Sequence, residues 1–231
     1  MPQPTSQISS KAAPKPSATQ PAHTRTRILD AAENLFAERG FESVSLRHIT
    51  AEADVNLASV NYHFGTKESL IDEVIARRVQ PINQRRLALL DERRAASDEP
   101  LTPEALVECF IVPVLDTVAD SAHSGRSFSR LMSRCMAEGT DRFPDILIEQ
   151  FTEVIARFVS EMSRTLPGVP AEIHQMRILF MAGAMSHALF NFDKLGPAAG
   201  AGTQTPDMST LKAEMIAFIA SGLSAPSSRQ P

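Results

Sequence analysis

Residues Ser45–Lys67, SLRHITAEADVNLASVNYHFGTK, decide how the rest of the chain is read. Leu46, Ile49 and Ala53 fall at i, i+3 and i+7, one apolar face of a helix, with Ser45 ahead of them as an N-cap. Asn56 is a second N-cap and opens the short segment Leu57–His63. Val55, Val60 and Phe64 bracket that segment with apolar side chains that can pack against the first helix. The outward groups are then Ser59, Asn61, Tyr62 and His63, hydrogen-bonding side chains suited to base edges and phosphate oxygens. Two helices joined by a turn of three or four residues place the second in a major groove.

The flanks extend this unit. Ile28, Leu29, Ala32, Leu35 and Phe36 have the spacing of an amphipathic helix, order beginning near Thr24, and Gly40 stops it. Phe41 and Val44 plug the junction before Ser45. His48 reads as a partly buried packing residue. Thr66 caps a long helix with Leu70, Ile71, Val74 and Ile75 as its buried stripe and an expected kink at Pro81. Arg85, Arg86, Arg93 and Arg94 read as a solvated face of that helix. Residues 1–23 are rich in Pro, Ser, Gln and Ala, the composition of a disordered tail. With no apolar run of roughly 7–15 residues after Met1, that start does not read as a secretory signal. A solvated tail is the simpler reading; a basic arm formed by Lys11, Lys15 and Arg25 is the alternative.

Hydrophobic residues make up 43% and charged ones 22% of the 231, as in globular domains, and sparse glycine with little β-branched alternation predicts an all-α fold. The net charge of −4 is unevenly spread. Residues 1–96 hold 13 Lys/Arg against 11 Asp/Glu, and the remainder 10 against 16. The N-terminal half is therefore the more basic, as a nucleic-acid module requires. Cys109 and Cys135 lie in apolar surroundings without a C-x-x-C and read as reduced core thiols of a cytosolic protein.

The rest, about 101–223, is helical and apolar. Thr102-Pro103-Glu104 starts a helix with Leu106, Phe110, Val114 and Val118 in phase and Pro113 bending it. Helices over Gly125–Glu138 and Pro144–Arg164 follow. Ile178–Phe192 holds no charged residue but is too short and too polar for a membrane span of about 20 residues; it predicts a helix buried by core on one side and a partner subunit on the other. Gly196–Pro206 reads as a flexible linker to a last helix, Leu211–Leu223. Phe110, Phe128, Met132, Met136, Phe180, Met181 and Met185 can line an adaptable apolar cavity, with Arg126 or Arg130 for an acidic headgroup; ordinary core packing is the competing reading. Catalysis finds no support. Ser186 stands one place too late for G-x-S-x-G, and the six His form neither an H-x-x-x-H pair nor a zinc pattern. No cofactor or metal site is expected.

Residues 24–75 resemble the N-terminal domain of the tetracycline-repressor (TetR) family. The resemblance rests on Leu35-Phe36…Gly40-Phe41, Ser45-Leu46-Arg47…Ile49, Asn61-Tyr62-His63-Phe64 and Lys67-Glu68-x-Leu70. Two positions depart from the family: Asp54 stands where Gly is usual in the turn, and Asn61 where many members have Tyr. VNLASVNYHFG also resembles a branch some of whose members respond to fatty acids or their derivatives. The resemblance implies phosphate contacts from Ser45 and Arg47. It implies groove-facing roles for Asn56, Leu57, Ala58, Ser59 and Asn61, and backbone contacts from Tyr62, His63 and Lys67. Chemistry supports part of this: Asn61 can bond bidentately to adenine, and the helix start after Thr66 is a phosphate site. For Tyr62 the alternative is packing on the first helix.

The expected organisation is a three-helix DNA-binding domain over 24–75, a helical regulatory and dimerisation domain over 76–223, and tails at 1–23 and 224–231. The resemblance implies that the final two long helices pair across a two-fold axis. The expected function is a non-enzymatic repressor, a homodimer on a palindromic DNA operator, released by a small mainly apolar effector such as an acyl or other apolar acid. A DNA-bound adaptor that recruits a protein and senses no small molecule is the alternative. Either would work in the bacterial cytoplasm, nucleoid-associated when bound to DNA, without a membrane.

Overall fold

Local side-chain chemistry sets the helix boundaries of the N-terminal half. The computed structural model describes residues 19–119, 124–138, 143–191 and 207–227, in which there are nine helices and no strand. Helix α1 spans Thr19–Arg39, α2 Leu46–Ala53, α3 Leu57–Phe64 and α4 Lys67–Ala96. The helix starts earlier than the expected Thr24, while the basic-arm lysines Lys11 and Lys15 lie outside the described residues. Arg25 belongs to α1 and pairs with Glu73 of α4 at 2.5 Å, so it is no arm residue.

Gly40 stops α1 with φ +84°, a conformation that costs an L-residue about 1–2 kcal/mol. Ser45 Oγ accepts the His48 backbone N–H at 3.3 Å, and His48 Nδ1 accepts the Ser45 N–H at 3.2 Å. This reciprocal cap corrects the packing role expected of His48, whose imidazole is exposed and serves the helix end. Asn56 Oδ1 and Thr66 Oγ1 cap α3 and α4, accepting N–H groups of Ser59 at 2.8 Å and Ser69 at 3.1 Å. Asp54 takes the left-handed conformation of the turn, φ 49° and ψ 56°, as its short polar side chain allows.

Helices of eight residues do not persist alone. Tertiary burial holds α2 and α3: Ile49, Ala53, Val60 and Phe64 pack with Ile28, Phe36, Phe41 and Val44. Leu70 and Val74 carry the same core onto α4. At 1.5 Å per residue, the 30 residues of α4 reach roughly 45 Å, far past the three-helix unit. The expected boundary between residues 75 and 76 lies inside this helix, which both halves share. Pro81 is likewise inside it and leaves the Arg77 carbonyl without an i+4 donor.

Helices α5 (Pro103–Ala119), α6 (Ser124–Glu138), α7 (Phe143–Thr165), α8 (Ala171–Phe190) and α9 (Met208–Ser224) build the second half. α5 is central, touching α4, α6, α7 and α9. Its buried Leu106, Phe110, Ile111 and Val114 meet Phe128, Leu131, Phe158, Met181 and Ile219. Arg177 of α8 donates to the carbonyls of Leu223 and Ala225, closing the C-terminal end of α9 with a cation. α6 also packs on α1, joining the halves a second time. The expected linker over 196–206 lies outside the described residues. Among the described residues no helix is long and apolar enough to cross a membrane.

Candidate functional site

The capped turn presents α3 with one face buried and the other bare. Val60 and Phe64 point inward, while Asn56, Leu57, Ala58, Asn61 and Tyr62 are exposed. Tyr62, 82% exposed, does not pack its ring on α1; it meets the edge of His63 at 5.1 Å. Ser45 and Arg47 are exposed at the start of α2. Half-buried His63 and Lys67 flank the other end, with Lys67 Nζ 3.5 Å from the Glu42 carbonyl. Nine of the ten residues expected at the interface fall within α2, α3 and their N-caps, and the tenth, Lys67, opens α4. Asn56 and Ser59 also serve the cap, since Asn56 Oδ1 accepts the Ser59 hydroxyl at 3.0 Å.

Three braces behind this face escaped the sequence reading. Arg27 of α1 donates to the carbonyls of Ala53 and, at 2.9 Å, Asp54, holding the turn between α2 and α3. Glu33, only 2% exposed, receives Arg78 through Nε at 2.9 Å and Nη2 at 2.6 Å, and Arg77 at 3.2 Å. A buried carboxylate needs such partners, and this cluster locks α1 to α4. Arg25 adds the third, lying 5.3 Å above the Phe64 ring while pairing with Glu73. The signal available was a Glu in an otherwise apolar stripe of α1.

In the second half the expected ligand residues divide. Phe110, Phe128, Met132, Met181 and Met185 are buried together. Phe180 is not with them: it is 63% exposed on the outer side of α8, because Met181 and Met185 take the inward side. Arg130 also lies elsewhere, exposed in an open cleft with Asn34, Glu38, Arg39, Glu52 and Ser127 between α1 and α6. The side chains of Arg126 and Met136 lie outside the described residues.

Arg86, expected on a solvated face, is instead fully buried. Nε donates to the Phe110 carbonyl at 2.8 Å and Nη1 to Asn83 Oδ1 at 2.9 Å. Its guanidinium carbon lies 3.9 Å from the centre of the Phe110 ring. Desolvation lowers its pKa to about 9, so it still carries its charge near neutrality. Burial pushes the Cys109 thiol up to about 11 and that of Cys135 to about 12, which makes both poor nucleophiles. Among the described residues His174 is buried with no well-formed hydrogen bond to either ring nitrogen; burial, then Arg177, lowers its pKa, opposed by the nearby Leu166 and Val169 backbone.

Comparison with known proteins follows this division of the chain. A family model described as bacterial regulatory proteins, tetR family, matches residues 28–74. A second, described as tetracyclin repressor-like, C-terminal domain, matches residues 108–222. The chain belongs to the TetR family. The HTH-type transcriptional repressor KstR of Rhodococcus jostii is 27% identical over 151 residues, 60% of this chain and 68% of that protein. The HTH-type transcriptional regulator UidR of Escherichia coli K12 is 28% identical over 150 residues, 63% of this chain and 67% of that protein. Among solved structures, a TetR-family regulator from Streptomyces coelicolor superposes with a TM-score of 0.59 at 17% identity, covering 88% of this chain and 97% of that one. A transcriptional regulator from Saccharomonospora viridis in complex with choline gives 0.57 at 15%, covering 86% and 96%. At such identities the superpositions establish the fold.

This TetR-family protein is a DNA-binding transcriptional regulator and not an enzyme. The exposed faces of α2 and α3 lie within the region matched by the DNA-binding family model.

Proposed function

We propose that this TetR-family regulator is a repressor that binds a palindromic operator as a homodimer and leaves it when a small, mainly apolar acid occupies the α4–α8 half. The observation that carries this reading is the contrast along α3: Val60 and Phe64 anchor it while Leu57, Asn61 and Tyr62 stand free. Ser45, Arg47, Tyr62, His63 and Lys67 grip phosphate, and Asn56, Leu57, Ala58, Ser59 and Asn61 face the groove. One eight-residue helix reads too few bases alone, so specificity calls for two copies about one helical turn, roughly 34–36 Å, apart.

The surface for a second copy is the outer face of α8 and α9. Met176, Leu179 and Phe180 of α8 and Phe218 of α9 are exposed side chains of a size usually buried. Pairing of these helices across a two-fold axis covers them. The effector side rests on the buried Phe and Met residues, which adapt to apolar ligands. The Saccharomonospora viridis neighbour is in complex with choline, which supports a small-molecule effector for the present chain. The reading places the protein in the cytoplasm of a bacterium, where its operator lies.

Selection of DNA from a random pool with purified protein, followed by release with candidate metabolites, tests the reading. A palindromic consensus and release by an apolar acid are expected. Monomeric 1:1 binding to a non-palindromic site would overturn the dimer. A DNA complex that no metabolite releases, but that captures another protein through Phe180 and Phe218, would favour the adaptor alternative.

A further inference from the structure

We infer that Arg86 is the anchor for the acidic group of a small-molecule carboxylate whose apolar body lies among α5, α7 and α8. The inference rests on the effector reading above and names the residue and chemistry behind it.

Arg86 stands where four helices meet. Asn83, one turn earlier on α4, accepts from its Nη1 and itself donates to the Gln150 carbonyl of α7 at 2.7 Å. Phe110 of α5 contributes both its carbonyl and its ring face, and Phe151 of α7 lies 5.5 Å from the guanidinium. On α8 the partner is the Met185 thioether, 4.0 Å from Nη2. None of these partners is anionic. A guanidinium has five N–H donors, and the described contacts use three, one of them on sulfur.

Elsewhere the chain treats buried charge differently. Buried Glu33 is met by two arginines, and Arg177 by two carbonyls at a helix end. Arg86 alone of these has aromatic faces and a thioether as its surroundings, which stabilise a cation weakly while excluding water. Desolvating a charge without a counter-ion is unfavourable, and supplying a carboxylate relieves it. Among the described residues, Nη2 has the flexible Met185 thioether as its hydrogen-bond partner. Asn83 and the Phe110 carbonyl hold the guanidinium plane in one orientation, as two-point recognition of a carboxylate requires. Arg86 also sits on α4, 19 residues and roughly 28 Å along the helix from Lys67. An anion drawn to Arg86 therefore acts on the helix that enters the DNA-binding domain.

The test uses full-length protein without DNA, titrated calorimetrically with saturated monocarboxylates of increasing chain length and with the matching alcohols. The carboxylate of the best-fitting length should bind about tenfold or more tighter than its alcohol. In Arg86→Met that ratio should fall to about one while the alcohol still binds; Arg86→Lys, which keeps the charge but loses the fork, should give an intermediate ratio. A ratio unchanged in folded Arg86→Met, or no carboxylate preference in the wild type, overturns the inference. If Arg86→Met does not fold, Arg86→Lys decides it: an unchanged ratio overturns the anchor. Adding the same carboxylate to the protein–DNA complex separates the two readings. Carboxylate-selective binding without DNA release sinks the effector reading and leaves the Arg86 site standing.

Discussion

The Glu138 carboxylate, at the end of α6, accepts the backbone N–H of Phe41 at 2.7 Å, across 97 residues of sequence. Arg134 lies 3.5 Å from the same carboxylate and donates to the Glu38 carbonyl at 3.1 Å. The regulatory half thereby holds the corner between α1 and α2. A Cβ at Gly40 would lie 2.0 Å from Glu138 Oε1, so Gly40 is needed for this approach as well as for its φ. Glu138→Ala should cost about 1–2 kcal/mol by urea unfolding, and Gly40→Ala about 2 kcal/mol or more. Equal midpoints for both variants and wild type would mean that the corner is held by other contacts.

Glu33 is a buried charge in the DNA-binding half, paired with Arg77 and Arg78. Removing it takes away the buried carboxylate that Arg78 and Arg77 share and leaves Arg77 with Asp30, 2.6 Å away, so Glu33→Ala should destabilise by about 3 kcal/mol. Denaturant unfolding measures this. The double change Glu33→Ala with Arg78→Ala should recover part of the loss, which a simple cavity effect would not allow.

Asn61 and Lys67 should fail in different ways. Asn61→Ala should lose about 1–3 kcal/mol against the best operator only and relax its sequence preference. Lys67→Ala should weaken all DNA alike and lower the salt slope by about one unit. Fluorescence anisotropy on specific and random duplexes across a salt series distinguishes them, and exchanged phenotypes would place α3 differently in the groove.

Phe180, in the outer face of α8, should belong to the dimer and not to the ligand wall. Symmetry counts each contact twice, so Phe180→Glu should weaken self-association by about 1,000-fold, given roughly 2 kcal/mol per buried phenylalanine. Analytical ultracentrifugation reads the change. A dimer of undiminished affinity would move the interface to another face.

Burial, and then Arg177, lower the pKa of His174 in the folded protein. Its folded pKa lies below its unfolded value, so the unfolded chain takes up the proton first. Stability is therefore unaffected well above pH 6.5 and falls as pH drops below it, by at most about 1.4 kcal/mol per pH unit from this residue. His174→Leu should lose less stability than wild type between pH 7.5 and 5.5 in thermal melts. Parallel losses would assign the acid sensitivity to other groups.

Ser45, Asn56, Thr66, Asp54 and Gly40 are legible in the sequence because each acts on its own backbone within a few residues. A cap or a left-handed turn needs no distant partner, and apolar periodicity then orients α2 and α3. The exposed faces of α2 and α3 follow from that same periodicity, so the ten interface candidates lie between Ser45 and the start of α4. What tertiary structure alone decided was the environment of side chains whose partners are far away in sequence. Arg86 reads as solvated until α5, brought in from 24 residues away, and α8, from 99, close over it. Phe180 reads as a cavity wall until the rotation of α8 assigns Met181 and Met185 to the inside. His48 reads as packing until the Ser45 backbone claims its ring nitrogen. Hydrophobic pattern reports how much of a helix is buried; which neighbour buries it, and whether a charge is left inside without a counter-ion, depends on packing between helices that share no local signal.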